Sequence, residues 1–435
     1  MGSGLRVPAN LPTLLQVLTM RTGLYLALVQ LLFTVTWTIY VAFLPQLAQA
    51  AGIPKERVLW ILMLDQAIFI AMDLALGIGA DRVVAAMKRV STLMIAITVV
   101  SAAAFVLLPL AGASAGLLLA LTVIWAITSS ALRAPPMAMF SKYVRAEAAP
   151  RFVFLSLLGI GIAGAIAPWL TGQLRGMSPL LPFLLAGVGL VAAVLAMGWC
   201  ERRLAAGSTA GEGNTTGSGP RSDAGATSAI AGAAPGTAHA SAAPPAPATG
   251  GAAGLFAAVL LLALGFQIHG FINAAPSYLR FAKAPDLEWL MGLFWVGFSV
   301  CVMLPGSGAF ERARPAHMLI AGTTLGALAF AAMPLATGLA ALIAAQVCAG
   351  AAWGLITGYA LTAALDAGRT GREGRFTGLV FALLAGAALT RFLIVVSGWH
   401  TASVMQPLLA WLPSVAWAAA LVMLTVAVRG RAFSR

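Results

Sequence analysis

The sequence predicts an all-α membrane protein: twelve transmembrane helices in two pseudo-symmetric six-helix bundles. Three observations predict it. The 435-residue chain is 60% hydrophobic and only 9% charged, with a mean hydropathy of +0.94. Twelve apolar stretches each approach the length of about 20 residues that crosses about 30 Å of hydrocarbon. One polar, low-complexity insert divides them six and six. In lipid every backbone polar group needs a partner within the chain, and apolar runs this long meet that need as helices.

Span 1 (about 22–48) is too long for a signal-peptide core and lacks a small-residue cleavage pattern, so it reads as a retained helix. Its middle carries Gln30, Thr34, Thr36, Trp37, Thr38 and Tyr40, and Pro45 sits near its outer end. Span 2 (about 58–80) holds Asp65 and Asp73 and ends in GIGADR. Span 3 (about 91–111) is followed by span 4 (about 116–140), with Trp125, Arg133 and the run RAPPMAMF. Span 5 (about 152–173) follows RAEAAPRF and contains GAIAPWLTG, and span 6 (about 179–200) ends the first half. Residues 201–253 are Ala, Gly, Ser, Thr and Pro with almost no large apolar residue. Such a stretch buries too little surface to offset ordering entropy, and a disordered cytoplasmic linker is expected.

Span 7 (about 254–280) carries Gln267, His269, Asn273 and Pro276. Span 8 (about 288–309) ends in GSGAFER, and span 9 is about 316–334. Span 10 (about 338–365) holds Trp353 and Tyr359. Span 11 (about 376–398) holds Arg391 and follows GREGRF. Span 12 (about 403–428) carries Trp411 and Trp417. The expected units are therefore a bundle over 1–200, the linker over 201–253 and a second bundle over 254–435.

The net charge of +13 does not indicate nucleic acid, because its distribution follows topology. Basic residues recur in every even-numbered connection: Arg82, Lys88 and Arg89; Lys142, Arg145 and Arg151; Arg202 and Arg203; Arg312 and Arg314; Arg369, Arg372 and Arg375; Arg429, Arg431 and Arg435. This positive-inside bias predicts cytoplasmic N and C termini in the inner membrane. The three cysteines, Cys200, Cys301 and Cys348, sit in or beside spans without metal-ligand spacing, so neither a disulfide framework nor a metal site is expected. The chain also lacks a phosphate loop, a Ser nucleophile motif with a His partner and a His-x-x-x-His pair. No enzyme and no cofactor is expected. Uphill transport would have to use an ion gradient.

The halves repeat each other. Spans 1 and 7 place polar residues at mid-depth and a proline near the outer end. Spans 2 and 8 end alike, the segments before spans 5 and 11 match, and Trp125 and Trp353 lie at similar depth. Paired six-span halves are how major facilitator transporters are built, and the chain resembles that superfamily. GIGADRVVAAMKR is similar to its loop motif between spans 2 and 3, with Val84 in place of a glycine. The resemblance implies that Gly77 lets helices pack closely and that Asp81 and Arg82 hold the cytoplasmic side closed. Three short segments also resemble the glycoside–pentoside–hexuronide cation symporters: DLALGIGADR, RAPPMAMF and LDAGRTGREGRF. Leu74, Phe69 and Arg133 depart from that family's proline and carboxylate positions, which argues against a multi-carboxylate sodium site.

Charges inside spans are costly and mark function. Asp73 and Arg133 each lie about 10–12 Å from the cytoplasmic end of neighbouring spans, so a pair is expected, either static or broken when Asp73 takes a proton. Asp65 and Arg391 each lie about 10 Å from the outer ends of spans 2 and 11. They would either bridge the halves as an outer gate, or leave Arg391 to bind an anionic substrate group or to snorkel. The resemblance implies that spans 1, 4, 7 and 10 line the cavity. The expected substrate site is then Gln30, Thr34, Trp37, Tyr40, Trp125, Gln267, His269, Asn273, Trp353 and Tyr359. His269 and Asn273, four apart, would share a face. Helix packing explains the aromatic residues and a buried neutral His269 equally well. The partners expected are a small polar solute, protons and lipid, with a monomer as the default. A proton-coupled carrier of a sugar or organic anion is the first reading. A drug exporter and a non-transporting relative are the alternatives, and a membrane enzyme is more remote.

Overall fold

The computed structural model describes residues 11–86, 91–141, 144, 146–212, 249–306, 314–369 and 371–429. The first half contains α1 (Leu11–Ala50), α2 (Val58–Ala86), α3 (Ser91–Leu107), α4 (Ala115–Ser129), α5 (Ala134–Ser141), α6 (Ala149–Leu174) and α7 (Leu180–Glu212). The second contains α8 (Thr249–Ile268), α9 (Ala274–Leu279), α10 (Leu287–Leu290), α11 (Leu293–Gly306), α12 (Pro315–Leu335), α13 (Leu339–Gly368), α14 (Glu373–Val396) and α15 (Met405–Arg429). Among the described residues, eleven segments are long and apolar enough to cross a membrane, and α7 adds a shorter apolar stretch over Leu180–Ala196. Three crossings are interrupted helices: α4 with α5, α8 with α9, and α10 with α11. Twelve crossings result, as the apolar pattern predicts.

Helix α7 continues past the expected end of the first bundle at 200, and α8 begins before 254. Residues 213–248 of the expected linker, and Lys88, Arg89, Lys142, Arg145, Arg312, Arg431 and Arg435 of the charge pattern, lie outside the described residues.

Local chemistry sets the helix ends. Helix α1 stops in a left-handed turn at Gly52 (φ 73°), with Ile53 N–H donating to Ala48 O and Gly52 N–H to Gln49 O. This pattern ends a helix on a glycine because only glycine adopts that φ freely. Ser114 caps α4, its hydroxyl accepting from Leu117 N–H at 3.2 Å.

Within the first half α1 packs along α6. Within the second, α13 packs on α11 and α12, and α15 on α8 and α12. The halves meet along two seams, α2 against α14 and α6 against α11. One apolar core crosses the divide, joining Phe152 and Phe154 of α6 to Phe298 of α11 and Trp353 and Tyr359 of α13. Large apolar side chains such as Leu185, Val188, Leu328 and Val422 remain exposed. Surfaces of that kind suit lipid, where apolar exposure costs nothing.

Candidate functional site

The break in span 4 follows from its prolines. In a continuous helix, Pro135 and Pro136 would have to donate to Ala131 O and Leu132 O, but proline has no N–H. The chain instead makes a 3-10 turn over Ser130–Leu132, with Arg133 N–H donating to Ser130 O, before α5 resumes. Gln30 of α1 supplies a replacement donor: its Nε2 reaches Leu132 O at 3.1 Å. Gln30, expected at the substrate site, is thus buried and bracing this break. Gln30→Leu should strand that carbonyl in the core at a cost of about 1–3 kcal/mol, seen as a lower thermal midpoint in detergent.

The break presents Arg133 to α2. Its Nη1 lies 2.9 Å from Asp73 Oδ2, and Asp73 is fully buried. Neither Asp73 oxygen receives a well-directed hydrogen bond. The pair therefore holds by charge and proximity. The Arg133 guanidinium also lies 5.1 Å from the ring centres of Phe69 on α2 and Phe381 on α14. A first-half ion pair therefore touches the second half directly.

The α2–α14 seam around it is built from small residues. A side-chain carbon on Gly378 would overlap Asp73 O, one on Gly77 would overlap Gly374 O, and one on Gly374 would overlap Gly77 O. Small residues permit this approach of two helix backbones. Toward the end carrying the described basic residues Arg82, Arg372 and Arg375, Asp81 reaches across the halves. Its Oδ1 accepts from Gly374 N–H at 2.6 Å and its Oδ2 from Arg375 N–H at 2.9 Å. These are first-turn amides of α14, which have no partner within the helix, and an anion there also meets the positive end of the helix dipole. Arg82 lies exposed at the end of α2. Asp81→Ala should weaken closure of this basic end by about 1–2 kcal/mol. A cysteine at Thr377, buried on α14 beside Gly378, would then react with a thiol reagent several-fold faster.

Asp65 sits apart from this seam pair. It is fully buried, and its Oδ2 accepts from the Tyr40 hydroxyl at 2.8 Å. Trp37, Tyr40, Phe105 and Trp125 form an aromatic group beside it, with Trp37 and Trp125 stacked at 5.7 Å. Arg391 is not its partner: the guanidinium lies over Phe271, at 4.2 Å, and Phe392, at 3.8 Å. The Asp65–Arg391 bridge expected of an outer gate is therefore not made in this conformation.

Span 7 departs from the expected geometry. His269–Asn273 is a π-turn, with Ala274 N–H donating to His269 O. Four residues apart in this turn, the two side chains nevertheless take partners on different helices. His269 Nε2–H donates to Gln346 Oε1 of α13 at 3.0 Å, and its ring lies 4.9 Å from Phe330. Asn273 Nδ2 instead donates to Leu409 O of α15 at 2.7 Å. Gln346 was not anticipated, although a lone amide in an apolar span is a signal that could have found it.

Several aromatics expected at the substrate site are core. Trp353 stacks on Phe266 at 4.7 Å, Trp125 is buried, and Tyr359 meets Phe154 of the other half edge-on at 5.0 Å. Thr34 donates to Gln30 O within α1. Trp37 and Gln267 are half-buried, and Gln267 Oε1 is buried without a partner.

The chain is similar in structure to the human organic anion transporter MFSD10 (TETRAN), with a TM-score of 0.66, 14% identity, and coverage of 93% of this chain and 99% of that one. It is also similar to FucP, a major facilitator transporter in its outward conformation, with a TM-score of 0.61, 13% identity, and coverage of 93% and 98%. No curated protein matches it in sequence. The family model of the Major Facilitator Superfamily matches residues 26–390. With that match over most of its length and two six-helix halves joined along paired seams, the chain belongs to the Major Facilitator Superfamily.

Proposed function

We propose that the protein is a secondary active transporter that moves a small polar organic solute, a sugar or an organic anion, by alternating access coupled to protons. The observation that carries this reading is the Asp73–Arg133 pair, buried where the two halves meet and touching Phe381 of the second half. A buried ion pair is a weak source of stability. At a moving interface it is a natural switch, because a proton on Asp73 cancels the charge that holds Arg133. The halves then rock about the α2–α14 and α6–α11 seams. The described basic residues support cytoplasmic termini in the inner membrane, with the α2–α14 seam closed on the cytoplasmic side. The similarity to an organic anion transporter supports the anion side of the substrate class.

Proteoliposomes with an imposed proton gradient test the reading. Gradient-driven uptake of a sugar or carboxylate is expected. It should be lost in Asp73→Asn, while exchange of solute across the membrane without a gradient persists. Gradient-driven uptake undiminished in Asp73→Asn would refute proton coupling through this pair.

A further inference from the structure

We infer that Arg391 anchors the carboxylate of an organic anion, which places the transported solute in that class. The inference rests on the transport reading above. Arg391 lies on α14, with its guanidinium close to two rings, Phe271 from the π-turn of span 7 and Phe392 from its own helix. Its Nε is buried and has no hydrogen-bond partner. Arginine keeps its charge in a protein, and five in-plane N–H groups make it a fork for carboxylates.

Both ring centres lie within 4.2 Å of the guanidinium carbon. Contacts of this kind contribute about 0.5–2 kcal/mol each, but they neither neutralise the charge nor satisfy the N–H groups.

The acid matched to it by depth, Asp65, does not answer it. Phe392 packs in the same cluster as Tyr40 and Trp125, the residues around Asp65. Yet Asp65 binds Tyr40, and its Oδ1 is itself buried without a partner. A cation with a buried, unmet Nε–H, beside an exposed aromatic ring (Phe271, 57% exposed), is complementary to a carboxylate joined to an organic body. A neutral sugar could accept a hydrogen bond there, but it would leave the charge unanswered.

The test uses the purified full-length protein with benzoate, lactate and gluconate as carboxylate probes, and glucose and xylose as neutral ones. Binding is read by thermal shift, and transport by uptake into proteoliposomes. At least one carboxylate should bind and be carried. Arg391→Gln should weaken that binding by about tenfold or more, and Arg391→Lys, which keeps the charge but not the fork, by less. The unfolding midpoint of each unliganded variant shows whether it is folded. Carboxylate binding that survives Arg391→Gln would overturn the inference. So would uptake of glucose or xylose with no response to any carboxylate, and that result would leave the transport reading standing. If no probe of either class binds or moves, both fail.

Discussion

Arg133→Gln is expected to be among the most destabilising single substitutions in this chain, costing about 3–5 kcal/mol. The reason is what remains. Asp73 is fully buried on α2, and Arg133 is the only described cation paired with it. Removing the arginine leaves a fully buried carboxylate without a cation beside it. Asp73→Asn should cost less, because Arg133 is partly exposed, at 15%, and can turn toward water. The double variant should regain much of the loss, since replacing both members of a buried pair is far milder than orphaning one. Thermal unfolding of the four proteins in one detergent gives the coupling directly. Additive losses would show that the two residues do not act as a pair.

Gly378→Val should abolish most transport while leaving each half folded. A side chain at 378 collides with the Asp73 carbonyl on the opposing helix, so the α2–α14 seam cannot close. Overpacking of this kind costs about 1–3 kcal/mol, which corresponds to a shift of roughly 5–150-fold in a two-state equilibrium. The collision lies between the halves rather than within one, so the cost falls on the closed state. Gly386→Ala on the same helix is the control, because a side chain there would meet open space. Equal activity in the two variants would show that closure of this seam is not part of the cycle.

Much of this architecture is legible in the sequence, because the bilayer imposes length and hydropathy so strictly. The twelve apolar runs become twelve crossings. Asp73 and Arg133, matched only by depth along neighbouring spans, meet at 2.9 Å. Asp81 is recognisable from its motif, but its partners are backbone amides of α14, and backbone partners leave no mark in side-chain chemistry. What stayed hidden was which neighbour each side chain meets. The π-turn at His269–Asn273 adds a residue to one turn, and no residue type there demands it. The prolines after Arg133 announce a break, yet they do not say that Gln30 would brace it. Depth cannot separate Trp353 in a core from Trp353 in a cavity, so stacking on Phe266 needed coordinates.

The most direct test of a two-state carrier hinged on these seams is a pair of distance measurements. Spin labels at Lys55 and Lys283 report the end opposite Arg82 and Arg375, and labels at Thr92 and Arg372 report the end that carries them. All four positions are exposed. The native cysteines would be replaced first. Alternating access predicts two populations for each pair, moving in opposite senses as pH or substrate is varied, with Asp81→Ala lengthening the Thr92–Arg372 distance. A single unchanging distance at both ends, in every condition and in that variant, would contradict it.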